Sequence, residues 1–318
     1  MFFRRASWPT VNKQHFSYCP GECNNATCRC CRVLKCIRAG MALNQNETKV
    51  PAPKFSCEYD KLTRILTQLF HQNTQRSRVF LNFNCFEDPS IEELTGYRSL
   101  RYVANEPKKS AHEWGLMEQL TTIDFIKSFG VFNLLKPSDQ KIFVEESYIK
   151  YAVFTTAARC FFSRKAEMRF PDGTDIFPVE TEQVESIKKE FLNKCRSELV
   201  GKLIELQINE EEFLLFSALF LCNPALTSRK IPDPETNRFT AAGSSVISTY
   251  RDVFTSALHQ YCRLRYQQNA PTRFVELLTM VDSIEKTFQN INYLFFVFQF
   301  EKPDVKFKRV FQDHLDTC

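Results

Sequence analysis

The chain has 318 residues, room for one large domain or for a small one followed by a medium one. Apolar residues make up 43%, with 31 Phe against 8 Gly, a balance that favours long packed helices over a turn-rich β protein. The net charge of +5 is uneven: residues 1–41 hold seven Lys/Arg and one acid, Glu22, a sum of +6, so the other residues sum to −1. A basic end joined to a neutral domain is the charge pattern of a nucleic-acid contact followed by a globular unit. Met1-Phe2-Phe3-Arg4-Arg5 puts its apolar residues before its charges, the reverse of a secretion signal. The longest apolar runs, Phe213–Cys222 and Tyr293–Phe298, are shorter than the ~20 residues a membrane span needs.

Six of the thirteen cysteines lie between Cys19 and Cys36. Cys19 with Cys23, and Cys28 with Cys31, form two close pairs, and four thiolates fill the tetrahedral shell of one structural Zn2+. Clustered cysteines without a secretion signal favour metal over disulfides. Cys30 competes with Cys31 as the fourth ligand. Arg4, Arg5, Arg32 and Lys35 surround this segment and are expected to meet DNA phosphates. Such contacts position a protein on DNA without reading its sequence.

Residues 42–56 are polar, contain Pro51 and Pro53, and read as a hinge. From Cys57 the pattern is helical, with Leu62, Ile65, Leu66 and Leu69 on one stripe. Ser90 with Glu93 predicts a capping box that starts a short helix. Residues 101–112 read as a loop. Leu116, Leu120, Ile123 and Ile126 mark the next helix, and Pro137-Ser138-Asp139 opens another that runs to about Phe162. Phe170-Pro171-Asp172-Gly173-Thr174 predicts a hairpin turn. Further helices are expected at roughly 180–198, 200–207, 210–222, 234–266 and 271–299, with a last amphipathic one at 305–315. The coarse expectation is an all-α domain with one small β-turn.

Enzyme chemistry finds no footing. The chain has no G-x-S-x-G, Walker loop, H-E-x-x-H or G-x-G-x-x-G, and its five histidines are scattered. Cys160, Cys195, Cys222 and Cys262 fall in apolar helical settings and read as packing residues.

Phe2-Phe3-Arg4-Arg5 resembles the end of the DNA-reading helix of the nuclear hormone receptors, particularly the expanded nematode set. Cys28-x2-Cys31-x4-Cys36-x3-Gly40-Met41 resembles the second helix of the receptor zinc domain. Ile123-Asp124-Phe125-Ile126-Lys127 with Asp139-Gln140 resembles the ligand-domain signature of the same family. The resemblance implies residues 1–41 as a partial zinc-finger domain holding the second finger only, 42–56 as hinge, and 57–318 as the ligand-binding-like domain. The implied fold of the last is a three-layer α-helical sandwich with a small β-hairpin. Two departures stand out: the first finger would precede Phe2, and Cys19-x3-Cys23-x4-Cys28 is shorter than the family's C-x5-C-x9-C. Cys36 matches a family position that does not bind metal.

The resemblance also implies sites. Lys127 would cap the C-terminal end of a bound coregulator helix, and Asp313, in Val310-Phe311-Gln312-Asp313-His314-Leu315, would hold its other end. His314 stands where an apolar residue is usual, and Glu145 where a second lysine is usual. Trp114, Gly115, Glu118, Val153, Thr156 and Arg159 would face the ligand cavity, with Glu118 and Arg159 pointing at each other. That pair leaves two readings open: a pocket for a lipophilic ligand, or a site that is already self-satisfied. The expected function is a nuclear transcription factor of receptor type, with one Zn2+, weak or non-specific DNA binding and coactivator or corepressor helices as partners. The alternative is a DNA-independent regulator that dimerises through residues 246–266 and sequesters full receptors or coregulators.

Overall fold

Apolar stripes at helical spacing, not propensity alone, set the long elements of this chain. In the computed structural model the described residues are 55–96, 100–104, 106–108, 110–223 and 238–316. The four cysteines expected to bind Zn2+ and the four expected phosphate contacts lie outside them. Helix α1 (Phe55–Asn82) buries Leu62, Leu69, Arg76 and Phe80, one continuous stripe that includes a cation. Helix α2 (Ile91–Thr95) begins with the expected capping box: the Ser90 side chain accepts from Glu93 N–H, and the Glu93 carboxylate accepts from Ser90 N–H. Helix α3 (Ala111–Lys127) starts on Ser110, which accepts from Glu113 N–H, and ends with Lys127 in its last turn.

A short α4 (Gly130–Leu134) leads to α5 (Pro137–Phe162), with Pro137 in the first turn, where its missing N–H costs no hydrogen bond. Then come α6 (Lys189–Leu206), α7 (Glu210–Leu221), α8 (Ala241–Tyr266), α9 (Ala270–Leu278), α10 (Met280–Glu301) and α11 (Arg309–Asp316). Helices α5 and α7 form the inner layer. Tyr148, Tyr151 and Phe154 of α5 are fully buried, and α7 is buried from Glu212 to Leu221. A helix apolar on all sides needs partners on all sides. Helices α3, α6 and α10 all pack on α5. These elements belong to one compact unit, Ser56–Cys318.

Some expected boundaries move. Residues 101–112 are not wholly loop, because β2 (Val103–Ala104) pairs antiparallel with β1 (Phe83–Asn84). Two-residue strands are too short to show alternation in sequence. The two helices expected within 180–207 become a 3-10 turn, Val179–Gln183, and the single α6. Gly201 does not break α6, and a Cβ there would meet nothing within 4 Å. The helix expected over 271–299 is split at Thr279 into α9 and α10. The turn at Phe170–Thr174 forms as expected: Phe170 N–H donates to Thr174 O at 2.9 Å, and Gly173 takes φ 93°, which favours glycine.

Asp139 anchors the start of α8. Its carboxylate accepts from Thr240 N–H at 2.9 Å and from Thr240 Oγ1 at 2.6 Å. A Cβ on Gly243 would sit 2.4 Å from Asp139 Oδ2, so the close approach requires glycine.

Candidate functional site

The last turn of α3, the flank of α5 and helix α11 enclose a groove that holds α2. Lys127 Nζ donates to Leu94 O at 2.7 Å, and Asp313 Oδ2 accepts from Ile91 N–H at 2.8 Å. The first N–H groups and last carbonyls of a helix have no partner within it. An anion at the N-terminal end and a cation at the C-terminal end complement its dipole as well. Lys127 and Asp313 thus grip opposite ends of one helix, whose Ile91 and Leu94 are buried. Arg309 closes the upstream side, its N–H on Asp88 Oδ1 at 2.7 Å and its guanidinium 3.2 Å from Glu93. Glu145, where the resemblance expects lysine, pairs with Arg238 at 3.2 Å.

Helix α11 is held from below. Tyr148 Oη donates to Val310 O at 2.8 Å, and Val310, Phe311 and His314 are buried. His314, where the resemblance expects an apolar residue, is buried. Its ring meets Tyr148 and Phe288 at 5.9 and 5.8 Å, while Nε2 lies 3.1 Å from Asn292 Oδ1.

Helices α1, α3 and α5 also share a buried ionic cluster. Glu118 on α3 accepts from Arg159 on α5 at 2.7 Å and, through its other oxygen, from Arg76 on α1. Thr155 Oγ1 donates to Glu118 at 3.0 Å, and Arg76 also donates to Thr122 at 3.0 Å. Burial opposes ionisation of Glu118, but the Arg159 and Arg76 guanidiniums outweigh it and hold the carboxyl below its usual range. Sequence reasoning paired Glu118 with Arg159 and missed Arg76. The signal was present: Arg76 sits seven residues after Leu69 and fourteen after Leu62, on the apolar stripe of α1.

A cavity of about 130 Å3 adjoins this cluster. Gly115, Glu118, Val153 and Thr156 line it, together with Met168, Phe170, Phe295, Phe307 and Phe311. Gly115 opens it, since a Cβ there would meet nothing within 4 Å. Trp114 and Arg159 do not line it, contrary to expectation. Trp114, one residue from Gly115 and so about 100° round the helix, turns towards α1. It packs on Phe80 and Phe170 and donates from Nε1 to Asp172 at 2.9 Å. Arg159 is drawn onto Glu118 and covers the Phe80 ring at 4.4 Å.

Cys160, Cys195, Cys222 and Cys262 are buried, and burial raises the thiol pKa of Cys195 and Cys262 to about 11, which suits packing residues. Among the described residues no group of three or more His, Cys, Asp or Glu could hold a metal, and no helix is long and apolar enough to cross a membrane.

Three helical layers, an apolar cavity and a terminal helix that borders both cavity and groove define a receptor-type ligand-binding domain. Residues 105–300 match the family model described as the ligand-binding domain of nuclear hormone receptor. The chain is 34% identical over 317 residues to nuclear hormone receptor family member nhr-9 of Caenorhabditis elegans, covering 98% of this chain and 87% of that one. Family member nhr-167 of the same organism is 30% identical over 297 residues, 92% of this chain and 82% of its own. The chain belongs to the nuclear hormone receptor family, in its nematode form, and is a receptor-type regulator rather than an enzyme.

Proposed function

We propose that this chain regulates transcription in the nucleus by receiving coregulator helices in the groove between Lys127 and Asp313. The observation that carries this is the pair of bonds to α2: the two charges stand one short helix apart, each on the helix end it complements. Phe311 gives the groove a link to the cavity, because it lines the cavity and belongs to α11, which carries Asp313. A ligand that presses on Phe311 shifts α11 and with it one end of the grip. The cavity as it stands suits a small apolar ligand, on the order of benzene in size. A larger lipophilic ligand requires side chains to move. Arg159 and Arg76 are both bound to Glu118, so neither guanidinium is left for an acidic ligand.

Made in a chain that also carries Ile91→Ser and Leu94→Ser, so that α2 does not compete, Lys127→Ala and Asp313→Ala are each expected to weaken binding of an L-x-x-L-L peptide by about 1 kcal/mol or more. Fluorescence polarisation with a labelled peptide measures this, and unchanged affinity in both variants removes the groove reading.

At the other end of the chain, Cys19, Cys23, Cys28 and Cys31 supply four thiolate donors, the chemistry of one structural Zn2+. Zinc there would hold Arg4, Arg5, Arg32 and Lys35 in one basic surface for DNA phosphates, with affinity that falls steeply with salt. Native mass spectrometry should show one metal per chain. Full zinc stoichiometry in a Cys28→Ser, Cys31→Ser variant excludes this site. The alternative, a sequestering regulator that dimerises through residues 246–266, draws less from the fold. The solvent face of α8 there is polar apart from Leu264.

A further inference from the structure

Helix α2 occupies the groove as a separate peptide helix would. Ile91 and Leu94, three residues apart, are buried against α5 and α11. Asp313 holds the Ile91 N–H and Lys127 holds the Leu94 carbonyl. Both charges that the proposed function gives to a partner are therefore already used within the chain. We infer that α2 is a built-in occupant of the groove, and that a coregulator helix binds only by displacing it. This inference rests on the reading of the groove as a coregulator site.

The details of α2 suit an occupant that can leave. Five residues are too few to stay helical unaided. The capping box at Ser90 and Glu93 and the grip of the groove keep it folded. Ile91-Glu92-Glu93-Leu94-Thr95 supplies apolar residues at the first and fourth positions of an L-x-x-L-L pattern, but Thr95 at the fifth. Thr95 Oγ1 bonds back to Ile91 O at 3.0 Å instead of filling an apolar site. An incoming helix with leucine there gains a contact that α2 does not make. The lateral pairs, Lys141 with Glu92 at 3.5 Å and Arg309 with Glu93 at 3.2 Å, are exposed and hold α2 only weakly.

The test uses the full chain and two labelled peptides, one spanning Phe86–Gly96 of this sequence and one of L-x-x-L-L type. In an Ile91→Ser, Leu94→Ser variant, α2 no longer competes. Both peptides should then bind at least about tenfold more tightly than to the unmodified chain, because the open groove is no longer a minor state. Adding Lys127→Ala to that variant should weaken both again. Equal affinity for the unmodified and released chains overturns the inference, and so does a released chain that binds neither peptide. If the released chain binds the Phe86–Gly96 peptide but not the L-x-x-L-L peptide, self-occupation stands and the coregulator reading fails. Hydrogen exchange on the unmodified chain gives a readout independent of the variant's folding. Saturating L-x-x-L-L peptide should strip protection from the Ile91 and Leu94 amides, and a bound peptide that leaves them protected contradicts displacement.

Discussion

Glu118→Ala is expected to lower the stability of the helical domain by roughly 3–5 kcal/mol, because it strands two buried guanidiniums. Arg76 and Glu118 side chains are each 6% exposed and Arg159 is 22% exposed, so solvent screens the stranded charges little. For a domain of this size the melting temperature should fall on the order of 10 °C. Arg76→Met in the same background should recover part of the loss by removing the more buried cation. A small apolar acid such as benzoate should also recover part of it, by returning a carboxylate through the cavity that Glu118 lines. The pH dependence has a definite sign. The Glu118 carboxyl titrates lower in the folded chain than in the unfolded one, so its contribution is complete above the ordinary carboxylate range. That contribution disappears as the pH falls through the lowered value. Thermal melts of the two chains should therefore converge in acid. A Glu118→Ala chain as stable as the original near neutral pH would show that the cluster is not a structural anchor.

Arg273→Ala should cost a similar amount, roughly 3–5 kcal/mol, at a place remote in sequence from the groove residues. Arg273 donates to both oxygens of the buried Glu212, at 2.7 Å from Nε and 2.7 Å from Nη2. Its Nη1 also donates to Leu206 O at 2.8 Å, satisfying a carbonyl at the C-terminal end of α6. One side chain on α9 thus ties the end of α6 to the start of α7. Burial opposes ionisation of Glu212, but the bonds from Arg273 and from Asn209 N–H outweigh it and keep the carboxyl below its usual range. Arg273→Lys retains the charge but loses the planar fork, so it should fall between the original and the Ala variant. Denaturant midpoints measure the series. Equal midpoints for Arg273→Ala and the original chain would show that the fork is dispensable.

The long elements were legible because their apolar residues repeat at helical spacing over many turns. Leu116, Leu120, Ile123 and Ile126 are all buried along α3, and the capping box at Ser90 starts α2 as expected. The split at Thr279 was not legible. Residues on both sides continue an apolar pattern, while α9 packs mainly on α8 and α10 on α6 and α5. The positions of Lys127 and Asp313 came from a family resemblance, and no spacing rule could have joined them. They lie 186 residues apart by sequence number and face opposite ends of α2. That α2 itself fills the space between them was hidden in sequence, because a five-residue helix shows less than two turns of periodicity. Trp114 was misplaced for a simpler reason. It was named beside Gly115, but adjacent residues on a helix stand about 100° apart, so with Gly115 on the cavity Trp114 falls on the α1 contact.

The most direct measurement is a crystal structure of the chain with a bound L-x-x-L-L peptide. The expected result has the peptide's last carbonyls on Lys127 Nζ, its first N–H groups on the Asp313 carboxylate, and Ile91 and Leu94 withdrawn from the groove. A peptide bound elsewhere, with α2 still gripped by Lys127 and Asp313, would contradict both the function proposed for the groove and its self-occupation.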